Sequence, residues 1–99
     1  MLMIHMIPLR MNGKTAIGLS VDLPDSPPLV MIVGRTGFMM CGFLNVEVAE
    51  KLNVTAAMVT GVKGFDDIFK AQVKAVTSKA ESKGIKVGMK GKDAVKLLL

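Results

Sequence analysis

The chain contains no tryptophan and no tyrosine, and among its 99 residues there are one cysteine, one histidine and four phenylalanines. A single cysteine excludes an intrachain disulfide and a cysteine-built zinc site, in keeping with a reducing compartment, and a cytoplasmic protein is expected. Long apolar runs are missing too. The nearest approach, Leu29 to Leu44, is interrupted by Gly34, Arg35, Thr36 and Gly37, short of the roughly 18 apolar residues a membrane helix requires. Met1 to Leu9 has no basic residue before its apolar stretch and no small-x-small site after it, so it does not read as a signal peptide. Arginine is absent after Arg35, which removes the usual bidentate base reader from the basic half of the chain.

What is present is mostly apolar: 51% of the residues are hydrophobic and 21% charged. Such a composition folds, and at this length it makes one domain over residues 1–99. It is also more apolar than a small monomer easily hides, so part of the surplus is expected in a subunit interface. Charge is divided unequally. Residues 1–50 carry a net charge of −1 and residues 51–99 a net charge of +6, the latter from ten lysines against four acids.

Asn12-Gly13 is a strong hairpin signal, because a two-residue type I′ turn needs positive φ at both central positions. Centred there, the register pairs Met11 with Lys14 next to the turn and, continuing outward, Pro8 with Ile17, Met6 with Leu19 and Ile4 with Val21, and the face made by these outer pairs is apolar and expected in the core. The opposite face pairs Leu9 with Ala16, Ile7 with Gly18, and His5 with Ser20. It is mixed where a solvated face should be polar, so His5, Ile7, Leu9 and Ala16 are expected at an oligomer interface. Leu23-Pro-Asp-Ser-Pro-Pro28 then connects to two continuously apolar strands, Leu29–Val33 and Phe38–Gly42, joined through Gly34-Arg-Thr-Gly37. The domain thus divides into an N-terminal hairpin, 1–23, and an α/β body, 29–99.

Asn45 is a natural helix cap for residues 46–52, with Glu47 at the positive end of the dipole and Val48, Ala49 and Leu52 forming an apolar stripe. Ala56 to Thr60 reads as a strand, and Phe65 opens a second helix. The stretch that follows fits either one long helix or a strand near Gln72 to Thr77 and a short helix, begun by the capping box Ser78-x-x-Glu81 and ended by Gly84; the second is preferred. Lys92 to Leu99 is expected to be a terminal helix whose Val95, Leu98 and Leu99 dock on the body. The predicted class is α+β, with N-terminal β hairpins and three to four short helices.

The segments Gly37-Phe-Met-Met-Cys-Gly-Phe-Leu-Asn45, Val46-Glu-Val-Ala-Glu-Lys-Leu52, Ala57-Met-Val-Thr-Gly-Val-Lys63, Thr77-Ser-Lys-Ala80 and Gly84-Ile-Lys-Val-Gly-Met89 occur in an order and spacing that resembles the YunC-like domain-of-unknown-function family of small bacterial and archaeal proteins. The Asn12-Gly13-Lys14 turn and the Pro27-Pro28 lead into the third strand fit the same pattern. The resemblance implies an α+β fold whose N-terminal β region mediates tetramer formation, and it implies no activity.

Cys41 is the sharpest chemical candidate, as a thiol one short turn before a helix start sits where a positive dipole favours thiolate. Cys41, Gly42, Asn45 and Glu47 are therefore the candidate small-molecule site, with Cys41 the candidate catalytic residue if there is one. The plainer reading is packing, since free cysteine is among the most buried residue types. A reactive cysteine also wants a base, and His5 is the sole histidine. His5, Ser20 and Asp22 share a strand face, but a flat strand pair offers neither a sharp nucleophile nor oxyanion donors. Met1, Met3, His5, Met6 and Met11 could suggest a soft-metal cluster, yet Met3 and Met6 lie on opposite faces of one strand, so neither a metal nor a cofactor is expected.

Two glycine-rich loops invite an anion. At Gly61-Val-Lys-Gly64 the acids Asp66 and Asp67 would repel it. Gly84 to Lys92 is better suited, and Lys86, Lys90 and Lys92 are the candidate anion site, although Gly91-Lys92 is followed by Asp93 and lacks the phosphate-loop spacing. Turn glycines and solvated lysines are the plainer alternative. The second functional class is then an interaction or phosphate-binding module using the lysine-rich half, in which base readout of nucleic acid is not expected because only Phe65 and Phe69 could stack.

Overall fold

The computed structural model describes residues 3–99. Six strands form one sheet in the order β1-β2-β3-β4-β5-β6, and four short helices accompany it, giving an α+β domain. β1 (Ile4–Met11) and β2 (Lys14–Val21) make the expected hairpin, with Asn12 at φ 52° and Gly13 at φ 76°, and every expected pair from Met11↔Lys14 to Ile4↔Val21 is present. β3 (Leu29–Val33) pairs antiparallel with β2, and β4 (Phe38–Met40) with β3. α1 (Val46–Lys51) then crosses over to β5 (Ala56–Met58), parallel to β4. After α2 (Phe65–Lys70), the short β6 (Ala75–Val76) closes the far edge, followed by α3 (Ser78–Ser82) and α4 (Gly91–Lys96). The helix–strand–helix reading of the region after Phe65 is the one observed.

The core lies between one sheet face and helices α2 and α4. Val30, Ile32 and Met39 from the strands meet Ile68, Ala94, Val95 and Leu98, all fully buried. Leu98 and Leu99 do dock on the body, but in an extension beyond α4, where the Leu98 carbonyl accepts from both the amide and the hydroxyl of Thr36.

Three expectations change. The hairpin register is as read, but its faces are exchanged. Ala16 is buried and Gly18 lies beneath the Phe65 ring, whereas Ile4, Met6 and Ile17 are exposed. Ala16 therefore packs inside the chain and is not an interface residue, and Leu9 is half-buried against the same core; His5 and Ile7 stand exposed. Gly18 is the cause: a Cβ there would come within 2.9 Å of the Phe65 ring, so the bare backbone is what lets α2 lie on that face. On α1 only Ala49 of the expected stripe is buried, while Val48 and Leu52 are exposed, because a helix this short touches the sheet through one residue. The cap of α3 is Thr77 and not Ser78: the Thr77 hydroxyl accepts from Ala80 N at 3.3 Å, and Ser78 N donates to the Glu50 carboxylate at 2.8 Å.

Candidate functional site

Cys41 follows β4 directly and continues its ladder: its amide donates to the Val30 carbonyl at 3.0 Å, and its Sγ accepts from the Val30 amide at 3.4 Å. The thiol is buried as part of the core cluster. The chain then turns sharply, Leu44 N donating to the Cys41 carbonyl at 3.1 Å, and Asn45 caps α1 by accepting from Val48 N at 3.2 Å. The Asn45 side chain is thus engaged in its own helix.

This geometry divides the four expected residues. Cys41 and Gly42 line a cavity of about 280 Å³ together with Pro27, Pro28, Phe43, Val62 and Lys63. Asn45 and Glu47 lie instead in a shallow surface depression with Gly42 and Met58. Gly42 is shared by both, and the Cys41 cavity is largely apolar. The prolines on its wall come from the connector before β3, more than ten residues away in sequence, so no local spacing could reveal them.

His5 does not reach Cys41. It is on β1, the sheet edge, and Cys41 follows β4; two strands intervene, a separation on the order of 14 Å at ~4.8 Å per strand. His5 faces Ser20 across the hairpin as expected, and it is exposed. Of the methionines considered as soft ligands, Met1 is outside the described residues. Among the described residues no three of His, Cys, Asp and Glu come together to hold a metal ion.

The lysine-rich half contains a second, larger cavity, of about 520 Å³. Lys90 and Lys92 line it, Lys86 does not, and Lys70 and Arg10 take part instead. Lys86 is displaced by the turn that carries it, in which its amide donates to Met89 Sδ at 3.2 Å. At the earlier loop, the Asp67 carboxylate accepts from Lys63 N at 3.0 Å, occupying the donor an anion would use.

A family model described as "Domain of unknown function (DUF1805)" matches residues 40–98, from the end of β4 through α4. The chain belongs to this family. It is 33% identical over 97 residues to the uncharacterized protein YunC of Bacillus subtilis (strain 168), covering 94% of this chain and 95% of that protein. Its fold is similar to the crystal structure of a protein of unknown function, TA1206 from Thermoplasma acidophilum, with a TM-score of 0.94 and 32% identity over 99% of this chain and 95% of the other. The matched region contains Gly84–Met89 and the greater part of Gly37–Asn45, and the α+β fold is shared along essentially the whole chain. No helix of the described chain is long and apolar enough to cross a membrane.

Proposed function

We propose that the protein works as a homo-oligomeric binding module, a tetramer assembled through its N-terminal β region. The observation that carries this is the sheet face turned away from α2 and α4. By the pairing, Ile4, Met6, Ile17, Leu19, Met31 and Val33 share that face across β1, β2 and β3. Ile4 is 69% exposed, Met6 66% and Ile17 46%. A flat, contiguous apolar surface of this kind matches a second copy of itself, since sheets pack face to face through interdigitated apolar side chains. β1 is also the edge strand of the sheet, with no partner on its outer side among the described residues. The subunit surface is therefore the Ile4–Met6–Ile17–Val33 face, and His5 and Ile7, exposed on the opposite face of β1, are not part of it.

Light scattering tests the assembly. The unmutated protein elutes at a multiple of the chain mass, and Ile17→Lys, which puts a charge on the shared face without touching the core, elutes as a folded monomer. A monomeric unmutated protein overturns the reading.

A small-molecule site at Cys41 is supported by the cavity the thiol lines. With apolar walls and a buried sulfur that accepts from the Val30 amide, the role of Cys41 there is contact with an apolar ligand, not nucleophilic attack. A metabolite panel read by thermal shift tests this, with Cys41→Ser as the comparison. A ligand raises the Tm of the unmutated protein and less so that of the variant; equal shifts, or none in either, count against it.

A further inference from the structure

The cavity of about 520 Å³ where β1 and α2 meet combines an apolar lining with positive charge. Leu9 and Met11 of β1 and Phe69 of α2 form an apolar lining, all three half-buried and packed against the core. Around them stand Arg10, Lys70, Lys90 and Lys92, opposed by Asp66 alone, an excess of three positive charges about one opening. Volumes of this size are those of small-ligand sites, where apolar walls supply burial and a few polar groups fix orientation.

The backbone that carries Lys90 and Lys92 is held in place by packing. Gly91, between Lys90 and Lys92, is buried with its amide donating to the Ala71 carbonyl at 2.7 Å, and a Cβ on it would collide with the Ile68 carbonyl. An isolated bridge pairs Gln72 with Lys90. The start of α4 is thereby pinned to the end of α2, which fixes Lys90 and Lys92 beside Phe69 and Lys70. A multiply charged anion matches this excess of positive charge.

We infer that this cavity binds a small, multiply charged phosphate ester with a planar ring, a nucleoside polyphosphate by class. The phosphates meet Lys70, Lys90, Lys92 and Arg10, and the ring lies against Phe69, Leu9 and Met11. A simple carboxylate would leave most of the positive charge unmatched, and a bare inorganic phosphate would leave the apolar lining empty. This reading goes beyond the assembly proposed above and does not require it: Leu9, Met11, Phe69, Lys70, Lys90 and Lys92 are on the helix side of the sheet, and Arg10, the one lining residue on the other face of β1, is at the tip of the hairpin.

Isothermal titration of the full chain at low salt tests it, using ATP, tripolyphosphate, adenosine and laurate as probes. ATP is expected to bind saturably, at least tenfold tighter than tripolyphosphate or adenosine, with affinity falling as salt rises. Lys90→Glu combined with Lys92→Glu should weaken ATP at least tenfold, whereas Lys51→Glu, on the separate helix α1, should leave it unchanged. Amide shifts in an NMR titration should fall on residues 9–11, 66–70 and 90–92. Absence of saturable ATP binding overturns the inference, as does equal loss with the Lys51 variant. Laurate bound more tightly than ATP, or tripolyphosphate bound as tightly, overturns the assigned ligand class. The oligomeric state enters none of these readings, so the two proposals fail separately.

Discussion

The Thr77 hydroxyl donates to the Val54 carbonyl at 2.7 Å, across 23 residues of chain, and so ties the start of α3 to the approach to β5. The same oxygen accepts from the Ala56 amide at 3.1 Å and from the Ala80 amide at 3.3 Å, with Thr77 itself buried. One side chain thus caps a helix and completes the end of a strand. Removing it strands buried donors and an acceptor together. Thr77→Val should therefore destabilise the protein by about 2–3 kcal/mol, and Thr77→Ser by less than half of that, in urea unfolding.

Gly91 and Gly64 make a matched pair of tests. Each opens a helix, but a Cβ on Gly91 meets the backbone of α2, while one on Gly64 meets nothing within 4 Å at a φ of −161°. Gly91→Ala should lower stability by about 2–3 kcal/mol as α4 is pushed from α2, and Gly64→Ala should change it by less than ~1 kcal/mol. Thermal unfolding of the two variants side by side gives the comparison.

The exchanged faces of the hairpin are open to a direct test. Ala16→Leu adds volume inside a packed core and should cost about 1–3 kcal/mol of chain stability. Ile17→Lys, one residue along on the other face, should leave the fold intact and act on assembly alone. Circular dichroism melts combined with light scattering separate the two effects.

Cys41 should be protected in the folded chain. Its burial and its acceptance of the Val30 amide predict alkylation by iodoacetamide at least about tenfold slower than in urea-unfolded protein. Cys41→Ala should cost on the order of 1–2 kcal/mol through the lost contacts and the weakened amide pairing. Labelling at the unfolded rate would instead mean the cavity opens readily.

The sequence by itself determined the elements whose causes are local. Asn12-Gly13 sets the hairpin register because few other pairs adopt two positive φ values cheaply, Asn45 starts α1 because its side chain reaches the amide three residues on, and Gly84 ends the segment begun at α3 with a φ of +96°. Even Thr77 against Ser78 as the cap was a matter of one residue. The sides of the hairpin were another matter. Both faces of β1 and β2 are apolar, so alternation carries no contrast, and the choice was made by Gly18, whose missing side chain admits Phe65 from a helix nearly fifty residues later. The cavities were decided in the same way. Cys41 is walled by prolines from another connection, and Lys90 and Lys92 share a cavity with Arg10 only because the hairpin tip and α4 both come to α2 near Phe69. Turns and caps are written in neighbouring residues, whereas the side on which an apolar strand is covered depends on what the rest of the chain brings to it.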